Sequence, residues 1–153
     1  MMTRTDESLQ SKVALIAEEC IAVSLRLLTR AVTKIYNHAL RPHGLTVGQM
    51  NILVAASLMG QARQQDICRV LFLEKSTLSR DLKRMEHIGW VRAGRAAGDA
   101  RRLVTLTPAG SRLLLEVREA WEKAQAAAEE ELGKTTFAQL RSALPSPLKG
   151  RTR

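Results

Sequence analysis

Aromatic residues make up only 3% of this 153-residue chain, with two Trp, two Phe and one Tyr. That scarcity argues against an aromatic-rich sheet and against base-stacking platforms of the RNA-binding kind. Cysteine is nearly absent too. Cys20 and Cys68 show no CxxC spacing, which fits a reduced, cytoplasmic protein with no disulfide framework. His38, His43 and His87 share no ligand spacing with one another or with the cysteines, so neither a metal site nor another cofactor is expected. No run approaches the ~18–20 uninterrupted apolar residues of a membrane span. The first eight residues, Met1 to Ser8, lack the apolar core of a signal peptide, and no membrane partner is expected. Four Pro and nine Gly leave the composition globular.

What the chain has is apolar bulk and positive charge. At 45% hydrophobic it can bury roughly two-thirds of its unfolded surface without a disulfide or metal staple, as one domain or one subunit of an oligomer. Lys and Arg outnumber Asp and Glu by 24 to 15, for a net charge of +9. Such a surplus points to a polyanion, nucleic acid first and anionic membrane second, with plain solubility charge as the rival. Its location decides. Residues 1–59 carry +2, residues 60–112 carry +6 and residues 113–153 carry +1, while the stretch 113–132 has two basic residues against six acidic.

Residues 8–40 read as one long helix with two apolar stripes. One is Val13, Ile16, Cys20, Val23 and Leu27; the other is Leu25, Leu28, Val32, Ile35, Tyr36 and Ala39. A surface helix shows one apolar face, so the second meets another part of the fold or a second subunit. After the break at Arg41-Pro42-His43-Gly44, Thr46 and Gln49 form a capping box that opens a helix to about Leu58. Two short helices follow, about Gln64–Leu71 and Lys75–Ile88, joined by Phe72-Leu73-Glu74 and closed by Gly89. This spacing predicts a helix-turn-helix. Trp90–Ala93 and Arg102–Leu106 then read as the strands of a β-hairpin around a basic, glycine-punctuated loop. Thr107-Pro108 starts a long helix that runs to about Leu132, stops at Gly133 and resumes over Thr135–Leu144.

The second helix of the pair carries most of the chemistry. Leu78, Leu82, Met85 and Ile88 share one side and are expected to pack inward. The other side gathers Ser76, Arg80, Lys83 and His87, flanked by Thr77, Ser79 and Arg84. A helix in the DNA major groove needs small hydroxyls near its N-terminus and then long cations. Arg80 is the candidate for a guanine edge; Ser76 and Thr77 suit phosphates or base edges, and Lys83 and Arg84 suit phosphates. A merely solvated helix face is the competing reading, but the short helix before it and the basic hairpin after it favour double-stranded DNA. Arg95, Arg101 and Arg102 on the hairpin suit the minor groove.

Leu45-Thr46-x-x-Gln49, Glu74-Lys75-Ser76-Thr77-Leu78-Ser79-Arg80, Gly89-Trp90-Val91 and Leu106-Thr107-Pro108-Ala109-Gly110 together resemble the MarR family of bacterial transcriptional regulators. The likeness runs over about residues 15–140, in order and register. It implies a mainly α fold with a small β-hairpin, a winged helix-turn-helix flanked by N- and C-terminal dimerisation helices. On that pattern residues 1–44 and 108–145 pair the subunits of a homodimer, 45–107 form the DNA-binding lobe, and 146–153 are a flexible basic tail, all in one intertwined domain. It further implies a repressor, less often an activator, on a pseudo-palindromic operator, released by a small ligand or an oxidant.

One spacing departs from the family. Its wings usually place an Asp eight residues before the Leu of the Leu-Thr pair, whereas Asp99 precedes Leu106 by seven. Arg101 is therefore the favoured wing contact, with Arg95 and Arg102 as rivals. A small aromatic or anionic effector in a cleft between the dimer helices and the DNA-binding lobe is one candidate switch. Tyr36, Arg41 and His43, with His38, are its candidate lining, though each also suits a core or surface position. The other switch is redox. Alignment with peroxide-sensing relatives puts Ala22 at the sensing position, with Cys20 two residues earlier. An apolar stripe and the neighbouring Glu18 and Glu19 blunt a thiolate at Cys20, so buried structural cysteines are expected at Cys20 and Cys68.

An enzyme is the rival from another class. The sequence offers no glycine-rich phosphate loop, no metal-ligand cluster, and no Ser, His and carboxylate set with interpretable spacing. A non-enzymatic dimeric adaptor using the same basic face is the remaining alternative.

Overall fold

In the computed structural model, which describes residues 4–95 and 102–143, the chain divides into two units, Met1–Lys34 and Ile35–Arg153. No helix among the described residues is long and apolar enough to cross a membrane.

The first unit holds α1 (Arg4–Glu19) and most of α2 (Ile21–Leu40). The single long helix expected from Ser8 to Leu40 thus starts earlier and is interrupted at Cys20. The cause is local. The Cys20 carbonyl accepts from the amides of both Val23 and Ser24 at 3.1 Å, and the Ser24 hydroxyl also donates to it at 3.3 Å. One oxygen serving three donors marks the interruption between α1 and α2. Val13, Ile16, Val23 and Leu27 of the first expected stripe are exposed, with Leu9, Leu15, Ile21 and Leu25, whereas Leu28, Val32, Ile35, Tyr36 and Ala39 of the second are half-buried. Cys20 is half-buried, not buried.

In the second unit, α2 ends at the buried Leu40 and a 3₁₀ turn, Arg41–His43, closes on Gly44 in the left-handed conformation. α3 (Val47–Met59) begins with the capping box the sequence announces. Gln49 N donates to the Thr46 hydroxyl at 3.3 Å, Thr46 N donates to the Gln49 side chain at 3.2 Å, and Val47 N donates to Asn37 Oδ1 at 2.8 Å. Three otherwise orphaned amides are satisfied at the start of α3.

β1 (Ala62–Arg63), α4 (Gln64–Leu71), α5 (Lys75–Ile88), β2 (Val91–Arg95) and β3 (Arg102–Leu106) follow. The expected hairpin is two strands of a three-stranded antiparallel sheet, in the order β1-β3-β2. Val91 pairs with Leu106 and Arg95 with Arg102, while Ala62 pairs with Val104 on the other side of β3. α6 (Pro108–Glu116), α7 (Arg118–Leu132) and α8 (Lys134–Ala143) complete the chain. The long helix expected from Thr107 to Leu132 is divided at the buried Val117, whose ψ of −1° departs from helical geometry. Hydrogen bonds still run through it, from Val117 N to Leu113 O and from Trp121 N to Val117 O.

Leu40, Leu45, Ile52, Leu53, Ile67, Leu78, Leu82, Met85, Val91, Val104, Leu113 and Val117 form one core drawn from α2 through α6 and the sheet. Cys68 is half-buried against this cluster, where a buried position was expected. Burial pushes its thiol pKa up; Glu74 adds to the rise and Lys75 opposes it.

Candidate nucleic-acid interface

The interface is built on α5. Leu78, Leu82 and Met85 recur at helical spacing and are buried, which turns the opposite side outward. Ser76, Arg80, Lys83, Arg84 and His87 are exposed there, and Thr77 and Ser79 are half-buried at the edge. Among the described residues no ion pair holds Arg80, Lys83 or Arg84, so their charges face solvent. Ile88, expected inward, is 45% exposed. It is the last residue of α5, where the helix has run past the core that Met85 reaches.

Both ends of α5 are set by left-handed residues. Gly89, with φ of 87°, closes the C-terminus by donating its amide to Glu86 O and Met85 O. Phe72, with φ of 52°, reverses the chain between α4 and α5; the amide of Leu73 donates to Cys68 O at 2.9 Å. The sequence motifs that carry the resemblance act as fasteners around this helix. The Glu86 carboxylate accepts from Ala93 N at 2.8 Å and ties β2 to α5. The Thr107 hydroxyl donates to Gly89 O at 2.6 Å and accepts from Gly110 N at 3.1 Å, while Thr107 N donates to Trp90 O. The end of α5, the start of β2 and the start of α6 therefore meet in one hydrogen-bonded junction.

The candidate wing is partly in view. Arg102 is exposed on β3, and the backbone of Arg95 pairs with it at the end of β2. Arg101 and Asp99 lie outside the described residues. Arg92 was not singled out from the sequence, yet it is an exposed cation on β2. The alternation Val91-Arg92-Ala93, buried then exposed then half-buried, is the signal that marks it.

The candidate effector residues fall on α2 and the following turn. The Tyr36 hydroxyl is hydrogen-bonded to the Gln125 side chain of α7, and burial raises its pKa. Arg41 and His38 are exposed, and His43 is half-buried. Among the described residues no three His, Cys, Asp or Glu side chains stand together to hold a metal ion.

Residues 43–102, which contain the capping box, both short helices and the sheet up to its last strand, match the model of the MarR family. An HTH-type transcriptional regulator of Bacillus subtilis, YwoH, is 33% identical over 78 residues; the match takes in 51% of this chain and 57% of that protein. The chain thus spans less than two-thirds of the length of that curated relative. Among solved structures, BpsR of Bordetella bronchiseptica, whose DNA binding is regulated by 6-hydroxynicotinic acid, superposes with a TM-score of 0.71 at 19% identity, over 82% of this chain and 92% of BpsR. A mutant MarR from E. coli complexed with operator DNA superposes with a TM-score of 0.67 at 18% identity, over 86% and 98% of the two chains. Residues 43–102 thus resemble the MarR family, and the chain shares the winged helix-turn-helix fold of these solved structures.

Proposed function

We propose that the protein is a sequence-specific DNA-binding repressor that acts as a homodimer on a pseudo-palindromic operator. The observation that carries this is the outer face of α5, with Arg80, Lys83 and Arg84 exposed and outside any ion pair among the described residues. Arg80 spans the two acceptors of a guanine in the major groove. Ser76, Thr77 and Ser79 crowd the N-terminal part of the helix against base edges and phosphates, and Lys83 and Arg84 neutralise phosphates. Arg102, with Arg95 and Arg101, enters the adjacent minor groove from the wing. The operator-bound MarR relative supports this placement.

The homodimer is supported by the exposed apolar row from Leu9 to Leu27 and by Leu115 and Trp121 in the C-terminal helices, all uncovered in the single chain. On this reading residues 1–44 and 108–145 pair the subunits, residues 45–107 form the DNA-binding lobe, and the half-sites lie about one helical turn apart, ~10 base pairs. The ligand-regulated BpsR relative supports release by a small aromatic or anionic molecule, for which Tyr36, Arg41 and His43 are the candidate contacts.

Selection of bound fragments from a random duplex pool tests the proposal. The expected result is a two-fold symmetric motif whose binding weakens steeply with salt. Binding without sequence preference would contradict it.

A further inference from the structure

The turn between α4 and α5 carries a residue that neither packing nor backbone preference explains. Phe72 is 92% exposed, and it holds a φ of 52°. In that region the Cβ of an L-residue crowds its own carbonyl, and glycine or asparagine is the usual occupant. The turn itself demands the conformation. Leu71 and Leu73 on either side pack against the core, and Leu73 N donates to Cys68 O, so position 72 is forced outward and left-handed. An aromatic ring there is strained and solvated at once. Backbone outliers of this kind persist where function needs them.

Its surroundings say what the ring meets. Its exposed sequence neighbours are Arg69, ion-paired with Asp66 at 3.2 Å, and Glu74, Lys75 and Ser76, a polar set without the apolar surround of a protein hot spot. Phe72 also stands three residues before α5, at the end of the helix that the DNA reading places in the major groove. We propose that Phe72 is an apolar contact to double-stranded DNA, laying its ring against the CH groups of a thymine methyl or a deoxyribose beside the N-terminus of α5. This rests on the DNA-binding reading above. Thymine methyls accept such contacts from small and aromatic side chains.

The test uses the duplex that the wild-type protein selects from a random pool. Phe72→Ala and Phe72→Gly should each weaken binding about tenfold, the order expected for an aromatic ring that is no longer buried. The slope of affinity against salt should stay unchanged, because no charge is removed. Phe72→Gly should also unfold at no lower urea concentration than wild type, since glycine relieves the strained backbone. A duplex with uracil in place of thymine separates the two sources. Under a methyl contact wild type loses affinity on it and Phe72→Ala does not; under a deoxyribose contact the two respond alike. Either pattern supports the contact. Binding of both variants within twofold of wild type overturns it while leaving the DNA reading intact, whereas a wild type that selects no sequence overturns that reading itself.

Discussion

Gly110 lies so close under the carbonyl of Trp90 that a Cβ added to it would stand 2.1 Å from the oxygen. The contact joins the first turn of α6 to Trp90, the residue just before β2. Glycine is required here by space, not by φ. Gly110→Ala must push α6 away from β2 and is expected to cost about 1–3 kcal/mol, the range for overpacked sites. Urea unfolding measures it, with the exposed neighbour Ser111→Ala as the neutral comparison.

Glu86 holds β2 to α5 through one hydrogen bond, from Ala93 N at 2.8 Å. Glu86→Ala leaves that amide without its acceptor and should lower stability by about 1–2 kcal/mol. Amide exchange at Ala93 should accelerate by more than exchange at Val104, in the centre of the same sheet. Equal acceleration at both would show that the carboxylate does not anchor β2 selectively.

The Cys68 thiol is held above its ordinary pKa by burial first and by Glu74 second. A raised folded-state pKa contributes stability that is complete below the unfolded thiol value, about pH 8.5, and is lost as pH rises through the folded value. In a Cys20→Ser background, alkylation of Cys68 should therefore reach half its maximal rate at higher pH than a free thiol does. Glu74→Gln should shift that midpoint down and Lys75→Gln should shift it up.

The apolar row on α1 and α2 predicts the oligomeric state. Wild type should sediment as a dimer of 17.0 kDa chains. Leu27→Glu places a charge within the row and should shift the distribution toward monomer. An unchanged dimer would remove Leu27 from the interface.

Much of this fold is legible in the chain because its punctuation is local. Thr46 with Gln49, Thr107 before Pro108 and Gly89 after Ile88 each satisfy backbone groups within a few residues, so the start of α3, the start of α6 and the end of α5 fall at the expected positions. The misses are non-local or lack a marker residue. β1 is two residues long and exists only through its pairing with β3, about forty positions away. The breaks at Cys20 and Val117 carry neither Gly nor Pro, and the first depends on a Ser24 hydroxyl turning back to a carbonyl. Phe72 hides its left-handed backbone behind a side chain that normally avoids it. Of the candidate site, the outward set on α5 follows from 3.6-residue periodicity alone. The same periodicity misplaces Ile88, because a helical wheel does not know where the core ends.

The specificity of Arg80→Ala tests the role of the outer face of α5 most directly. Affinity for the selected duplex and for a scrambled duplex of equal length should be measured across salt concentrations, for wild type, Arg80→Ala and Lys83→Ala. Arg80→Ala should lose about 1–3 kcal/mol on the selected duplex alone, removing most of the discrimination, while Lys83→Ala should weaken both duplexes alike and lower the salt slope by about one. Preserved discrimination in Arg80→Ala would contradict the assignment of the outer face of α5 as the surface that reads DNA.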